Sequence, residues 1–183
     1  MISREPTIER LAIAQRLLLE PFGQDESHLT RALNEIRANK DDDADLYFQY
    51  TRSEGWSLEE GIVKTGSFSI DQGVGVRAVS GEKTAFAYSD DISGASLLDA
   101  ARTVRSISSA AQAGKAQVAT KKVAASRSLY AGIDPIASLD STAKVDLLMR
   151  LEQRARAKAP RVAQVMAGLA SAYDVVLVAR AAG

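Results

Sequence analysis

Gly73-Val-Gly-Val-Arg-Ala78 spells G-x-G-x-x-A, a variant of the fingerprint that holds a dinucleotide pyrophosphate. That chemistry needs a strand before the glycines and a helix starting within them, because the helix N-terminus supplies the N–H groups that bind phosphate. Here Val74, Val76 and Ala78 alternate with Gly75, Arg77 and Val79, a period of two that predicts a strand running through the glycines. Ser80-Gly81-Glu82-Lys83 follows as a hairpin turn, and the next helical signal comes only at about residue 93. The fingerprint is therefore a false match. Gly73 and Gly75 are read instead as sites of a bulge or of close approach by another backbone or side chain.

The other candidate chemistries fail on residue type or spacing. The chain has no Cys and one His, His28, whereas zinc sites draw on Cys and His and a Ser-His-Asp triad needs a His with a built geometry around it. His28 stands near the start of a surface helix beside Asp25 and Glu26 and reads as solvent-facing. Asp41, Asp42, Asp43 and Asp45 lack the alternating ligands, the central Gly and the closing Glu of a calcium loop, so they read as a solvated acidic loop. Glu54, Glu59 and Glu60 flank Trp56, but nothing in their spacing assigns an acid and a base. From Arg102 to Arg127 the chain carries Arg102, Arg105, Lys115, Lys121, Lys122 and Arg127 without an acidic residue. That stretch has no aromatic residue to stack on bases and reads as a solvated basic loop, which disfavours nucleic acid as a partner. No catalytic residue and no metal ligand is assigned.

The chain that must position these residues has 183 residues, enough for one domain or a tight pair of subdomains with a core of its own. The absence of Cys excludes disulfides and fits a reducing cytoplasm. Glu5, Glu9, Gln15 and Arg16 interrupt the N-terminal apolar stretch, so it is no secretory signal, and no apolar run is long enough to cross a bilayer. Residues 1–100 hold 10 Lys/Arg against 18 Asp/Glu, and residues 101–183 hold 13 against 5. The two halves read as charge-compensating when packed together.

Helical spacing predicts two helices within 7–38, broken at Pro21 and Gly23, with Asp25 as cap of the second. From 45 to 89 the period becomes two, and the short pieces DLYFQYT, GWSLEE, GIVKT, SFSI, GVGVRAVS and TAFAYS predict an antiparallel meander of four or five strands. A helix over 93–113, a loose basic segment over 114–139, a helix over 140–158 capped by Asp140, and a strand pair over 162–179 complete the pattern. The class is α+β: a strand meander flanked by helices, with the start of a second similar β unit at the C-terminus.

Two long runs carry a family resemblance: "DLYFQYTRSEGWSLEEGIVKTGSFSIDQGVGVRAVSGEKTAFAYSDDIS" and "LYAGIDPIASLDSTAKVDLLMRLEQRARAKAPRVAQVMAGLASAYDVVLVA". They resemble the amino-terminal region of the TldD/PmbA family, nearer its TldD branch. These proteins were historically called modulators of DNA gyrase and are now regarded as metallopeptidases. The resemblance implies a two-domain protein of more than twice this length, with a His-Glu-x-x-x-His zinc motif in its second half. It implies a TldD–TldE pair that cleaves unfolded or extended peptides. No His-Glu pair exists here, so no zinc ligand or catalytic Glu is carried over, and zinc is expected only in a full-length member. The chain is expected to be an amino-terminal portion lacking the catalytic C-terminal domain and inactive alone. It would shape a peptide channel and a subunit interface; the alternative is a stand-alone protein-binding or regulatory module.

The expected partners are a TldE/PmbA-like subunit or a second copy of the chain, with an extended peptide as substrate of the full-length enzyme. Antiparallel sheets accept such a peptide as an added strand. Gly73, Gly75 and Arg77 on one strand, and Val175 and Val178 on the last, are the candidate peptide or interface residues.

Overall fold

The computed structural model describes residues 5–37, 42–107 and 133–181. In chain order these form α1 (Glu5–Leu18), a 3-10 turn (Glu20–Phe22), α2 (Glu26–Ile36), β1 (Asp43–Glu59), β2 (Ile62–Ser80), β3 (Lys83–Ser89), α3 (Gly94–Ile107), α4 (Ser141–Lys158) and β4 (Met166–Arg180). The strands make one antiparallel sheet in the order β3-β2-β1-β4. The described residues divide into two compact units, one from 5–37, 42–50, 71–107 and 175–181, the other from 51–70 and 133–174.

In the first unit the helix starts are chemically defined. Asp25 caps α2, its Oδ1 accepting the Ser27 and His28 backbone N–H groups at 2.9 and 3.1 Å. Asp91 does similar work before α3, accepting from Ser93 N and Oγ and from Ser96 Oγ. Leu29, Ala32, Leu33 and Ile36 follow at helical spacing and bury the inner stripe of α2. They join Leu18, Leu46, Phe48, Val74, Val76, Ile92, Leu97 and Val104 in one core, with Val175 and Leu177 packed against it. On β1 and β2 the core residues are every second one, so one face of the sheet is covered by helices and the other is open.

The second unit buries less apolar surface: Leu58, Ile136 and Leu148 are its fully or nearly fully buried hydrophobic residues. α4 is capped as its sequence predicts, with Asp140 Oδ1 accepting from Ala143 N at 2.7 Å. The β1–β2 hairpin turns on Glu60-Gly61, both at positive φ (52° and 73°), the pair that a tight primed turn requires. Glu60 holds this position, usually left to Gly or Asn, because its carboxylate accepts from Val165 N and from Arg156.

Three expectations change. The meander of four or five strands is three, because the glycines expected to break it lie inside long strands. Gly66, for example, sits under the Trp56 ring, where a Cβ would come within 3.1 Å of the indole. The expected strand pair at 162–179 is one strand, β4, whose exposed and half-buried residues alternate without a turn signal. Consequently no second β unit begins among the described residues: β4 joins the same sheet beside β1. The end of the helix expected over 93–113 and most of the loose basic segment fall outside the described residues.

Candidate interaction surface

The residues singled out from the sequence lie on a sheet. In the first unit Gly73, Gly75 and Arg77 point to the open face of β2, opposite Val74, Val76 and Ala78 in the core. β3 pairs antiparallel with β2 from Val74↔Ser89 to Ser80↔Lys83, placing Tyr88 beside Gly75 and Phe86 beside Arg77. Both glycines are close-approach sites. A Cβ at Gly73 would stand 2.8 Å from the Ser89 carbonyl oxygen, and one at Gly75 would stand 3.0 Å from the Phe86 ring. Phe86 and Tyr88 stack with ring centroids 6.5 Å apart and are exposed, as are Tyr47, Val176 and Val178. The Gly73–Val79 segment thus offers a face and no edge, since β3 and β1 flank it.

Arg77 is occupied. Its guanidinium donates twice to Asp45, Nε at 2.8 Å, and lies 3.7 Å from Asp43, which also accepts from Arg180 at 2.6 Å. Asp43 and Asp45 are therefore not part of a solvated acidic loop. They are β1 residues that neutralise two arginines on the open face, and Asp45 is buried. Asp42 holds the next turn by accepting from Gly81 N at 2.7 Å, and Asp41 lies outside the described residues.

Val175 and Val178 do not share a surface. Three residues apart on a strand, they point to opposite faces: Val175 packs on the core and Val178 is exposed.

The second unit holds the most deeply buried charge among the described residues, Lys144. Lys144 Nζ lies 2.7 Å from Glu54 Oε1 and 2.8 Å from the Ile136 carbonyl, and Glu54 also accepts from Trp56 Nε1 at 2.7 Å. The Lys144 hydrogen bond is the largest influence holding the Glu54 carboxyl below its usual pKa, against the opposing effect of burial. Arg52 pairs with Asp134 and lies 5.8 Å from the Tyr173 ring centroid. These groups engage one another, which is the pattern of a structural pin. The grouping of Glu54 with Lys144, ninety positions on, has no signature in spacing.

Glu54, Glu59 and Glu60 form no acid–base pair; each engages a different donor, respectively Lys144, Gln164 and Arg156. His28 Nδ1 lies 2.8 Å from the capping Asp25 on the protein surface. Among the described residues no three His, Cys, Asp or Glu side chains gather where they could hold a metal ion. The zinc that the resemblance implies does not fit this donor set, which has no Cys and a single His engaged with a helix cap. Arg102 and Arg105 of the basic stretch pair with Asp99 and Glu35; Lys115, Lys121, Lys122 and Arg127 lie outside the described residues. No described helix is long and apolar enough to cross a membrane.

Comparison with known proteins places this geometry. Residues 44–108 match the family described as PmbA/TldA metallopeptidase domain 1. The chain is 43% identical over 161 residues to the "Metalloprotease TldD homolog" of Haemophilus influenzae, covering 88% of this chain and 33% of that protein. It is 40% identical over 152 residues to the protein of the same name from Buchnera aphidicola, covering 83% and 31%. The chain therefore spans about a third of the length of these relatives. Among solved structures it is similar in fold to a modulator of DNA gyrase from Bacteroides thetaiotaomicron, with a TM-score of 0.62 at 13% identity, covering 84% of this chain and 36% of that one. It is also similar to TldE from Thermococcus kodakarensis, with a TM-score of 0.57 at 15% identity, covering 83% and 34%. By these matches residues 44–108 are the first domain of the PmbA/TldD family, and the similarity to TldD homologues extends over most of the chain.

Proposed function

We propose that this chain is the amino-terminal, non-catalytic portion of a TldD-like zinc metallopeptidase, and that it shapes a peptide channel and a subunit interface. The observation that carries this reading is the 43% identity over most of the chain to a metalloprotease about three times as long. The chain's own donor set supports it, since one His and no Cys leave the metal chemistry to residues beyond this part. The partner in this reading is a TldE/PmbA-like subunit or a second copy, the substrate of the assembled enzyme is an extended peptide, and the compartment is the cytoplasm.

A second reading, a binding module acting without a catalytic part, draws on the exposed Tyr47, Phe86 and Tyr88 around the neutralised Arg77. One experiment separates the two. The remaining two-thirds of a TldD relative is expressed with and without this chain in trans, and peptide cleavage is assayed with zinc present. The proposed role predicts cleavage only when both are present. Equal cleavage with and without the chain contradicts it and leaves the binding module.

A further inference from the structure

β2 is much longer than the strand beside it. β3 covers β2 only from Val74 to Ser80, whereas β2 begins at Ile62. Within the second unit the segment Ile62–Ile70 therefore has β1 on one side and, among the described residues, no strand on the other. It is exposed throughout except for a half-buried Val63. A free edge of this length is a template for another strand, and natural edges are guarded by charges, prolines or bulges. This one carries Lys64 alone and no proline. One face shows Ile62, Gly66, Phe68 and Ile70, with the Trp56 ring lying over Gly66; the other shows Thr65, Ser67 and Ser69.

We propose that this edge pairs with the same edge of a second copy of the chain, antiparallel and centred on Ser67. The interface half of the proposed function is the reading this rests on. A two-fold pairing of this kind is self-complementary, each residue meeting one on the same face. With Ser67 on the axis, Thr65 faces Ser69, Gly66 faces Phe68 and Lys64 faces Ile70. No like charges are opposed, and hydroxyls meet hydroxyls on the polar face. Phe68 of each copy crosses towards Gly66 of the other and meets the Trp56 ring that lies over that glycine, twice per dimer. Aromatic cover of a strand glycine is a recognised source of cross-strand stability. The length also fits: Ile62 of one copy falls opposite Gln72 of the other, just short of Val74, where β3 takes over.

The chain has no Cys, so a single introduced thiol reports one position. The test is sedimentation velocity on the wild-type chain and on Phe68→Lys, with oxidation of Ser67→Cys compared with Val178→Cys on β4. The pairing predicts a dimer and rapid disulfide formation through position 67 but not 178. It also predicts a dissociation constant raised roughly tenfold or more by Phe68→Lys, because each dimer loses two buried phenyl rings. Phe68 is exposed in the single chain, so at concentrations low enough for both proteins to be monomeric its replacement should leave the thermal unfolding unchanged. A monomeric wild type, a dimer indifferent to Phe68→Lys, or equal cross-linking through Val178→Cys overturns the proposal. These readouts are independent of metal and peptidase activity, so the broader functional reading stands or falls separately.

Discussion

Replacing Lys144 by methionine should cost the second unit about 3–5 kcal/mol at neutral pH, the range expected when one partner of a buried ion pair is removed. The Lys144 side chain is 4% exposed and that of Glu54 is 11% exposed, and their charged atoms are 2.7 Å apart. Methionine keeps most of the apolar stem but removes the charge and the hydrogen bond to the Ile136 carbonyl. The Glu54 carboxylate would be left with Trp56 Nε1 and a weaker electrostatic pull from Arg52. Trp56 is the only tryptophan, so its fluorescence during urea unfolding reports this unit selectively.

Adding Glu54→Gln to Lys144→Met should recover most of the loss, because the uncompensated charge goes with it. The sign of the pH dependence is a further check. In the wild type the folded pKa of Glu54 is depressed, so its contribution is present above the usual carboxylate pKa and is lost as pH falls. In Lys144→Met, burial should raise that pKa, so the penalty is full at neutral pH and shrinks as pH falls through the raised value. A loss below about 1 kcal/mol, or a double variant no better than the single, would refute the assignment of the pair as a structural pin.

Other outcomes follow from the same geometry. Gly73→Ala should destabilise the first unit by about 1–3 kcal/mol, since the new Cβ must displace the Ser89 carbonyl, and a thermal melt followed by circular dichroism would read it. Phe48→Ala, which empties a fully buried position, should cost about 3–5 kcal/mol in the same assay. The Asp25 carboxyl should titrate at about 2 in an NMR experiment, held down first by the Ser27 hydroxyl and then by the His28 N–H. Its folded pKa lies below the ordinary aspartate value, so the cap's contribution to α2 is present above that ordinary value and is lost as pH falls towards 2.

Local chemistry was legible wherever it was local. Asp25 and Asp140 were readable as caps because a cap is decided within four residues. The strand through Gly73 and Gly75 was readable because alternation of two carries its own signal, and that signal alone was enough to reject a phosphate site. Strand boundaries were not legible. Glycine and serine suggest breaks, but a strand held by a partner strand and by packing keeps its direction through them, as β2 does at Gly66 beneath the Trp56 ring. The partners of Asp43 and Asp45 were hidden for a different reason: Arg77 and Arg180 arrive from distant strands, and only the pairing order brings them across. Val175 and Val178 were both candidates from one valine-rich run, and the strand period of two puts them on opposite faces.

In the proposed function, this part of the family scaffold leaves metal chemistry to other residues of the enzyme. Equilibrium dialysis of the intact 183-residue chain against zinc, with metal analysis and a peptide-cleavage assay on the same sample, tests it most directly. The expected result is no stoichiometric zinc and no cleavage; one tightly held zinc per chain accompanied by peptide hydrolysis would contradict the proposed function.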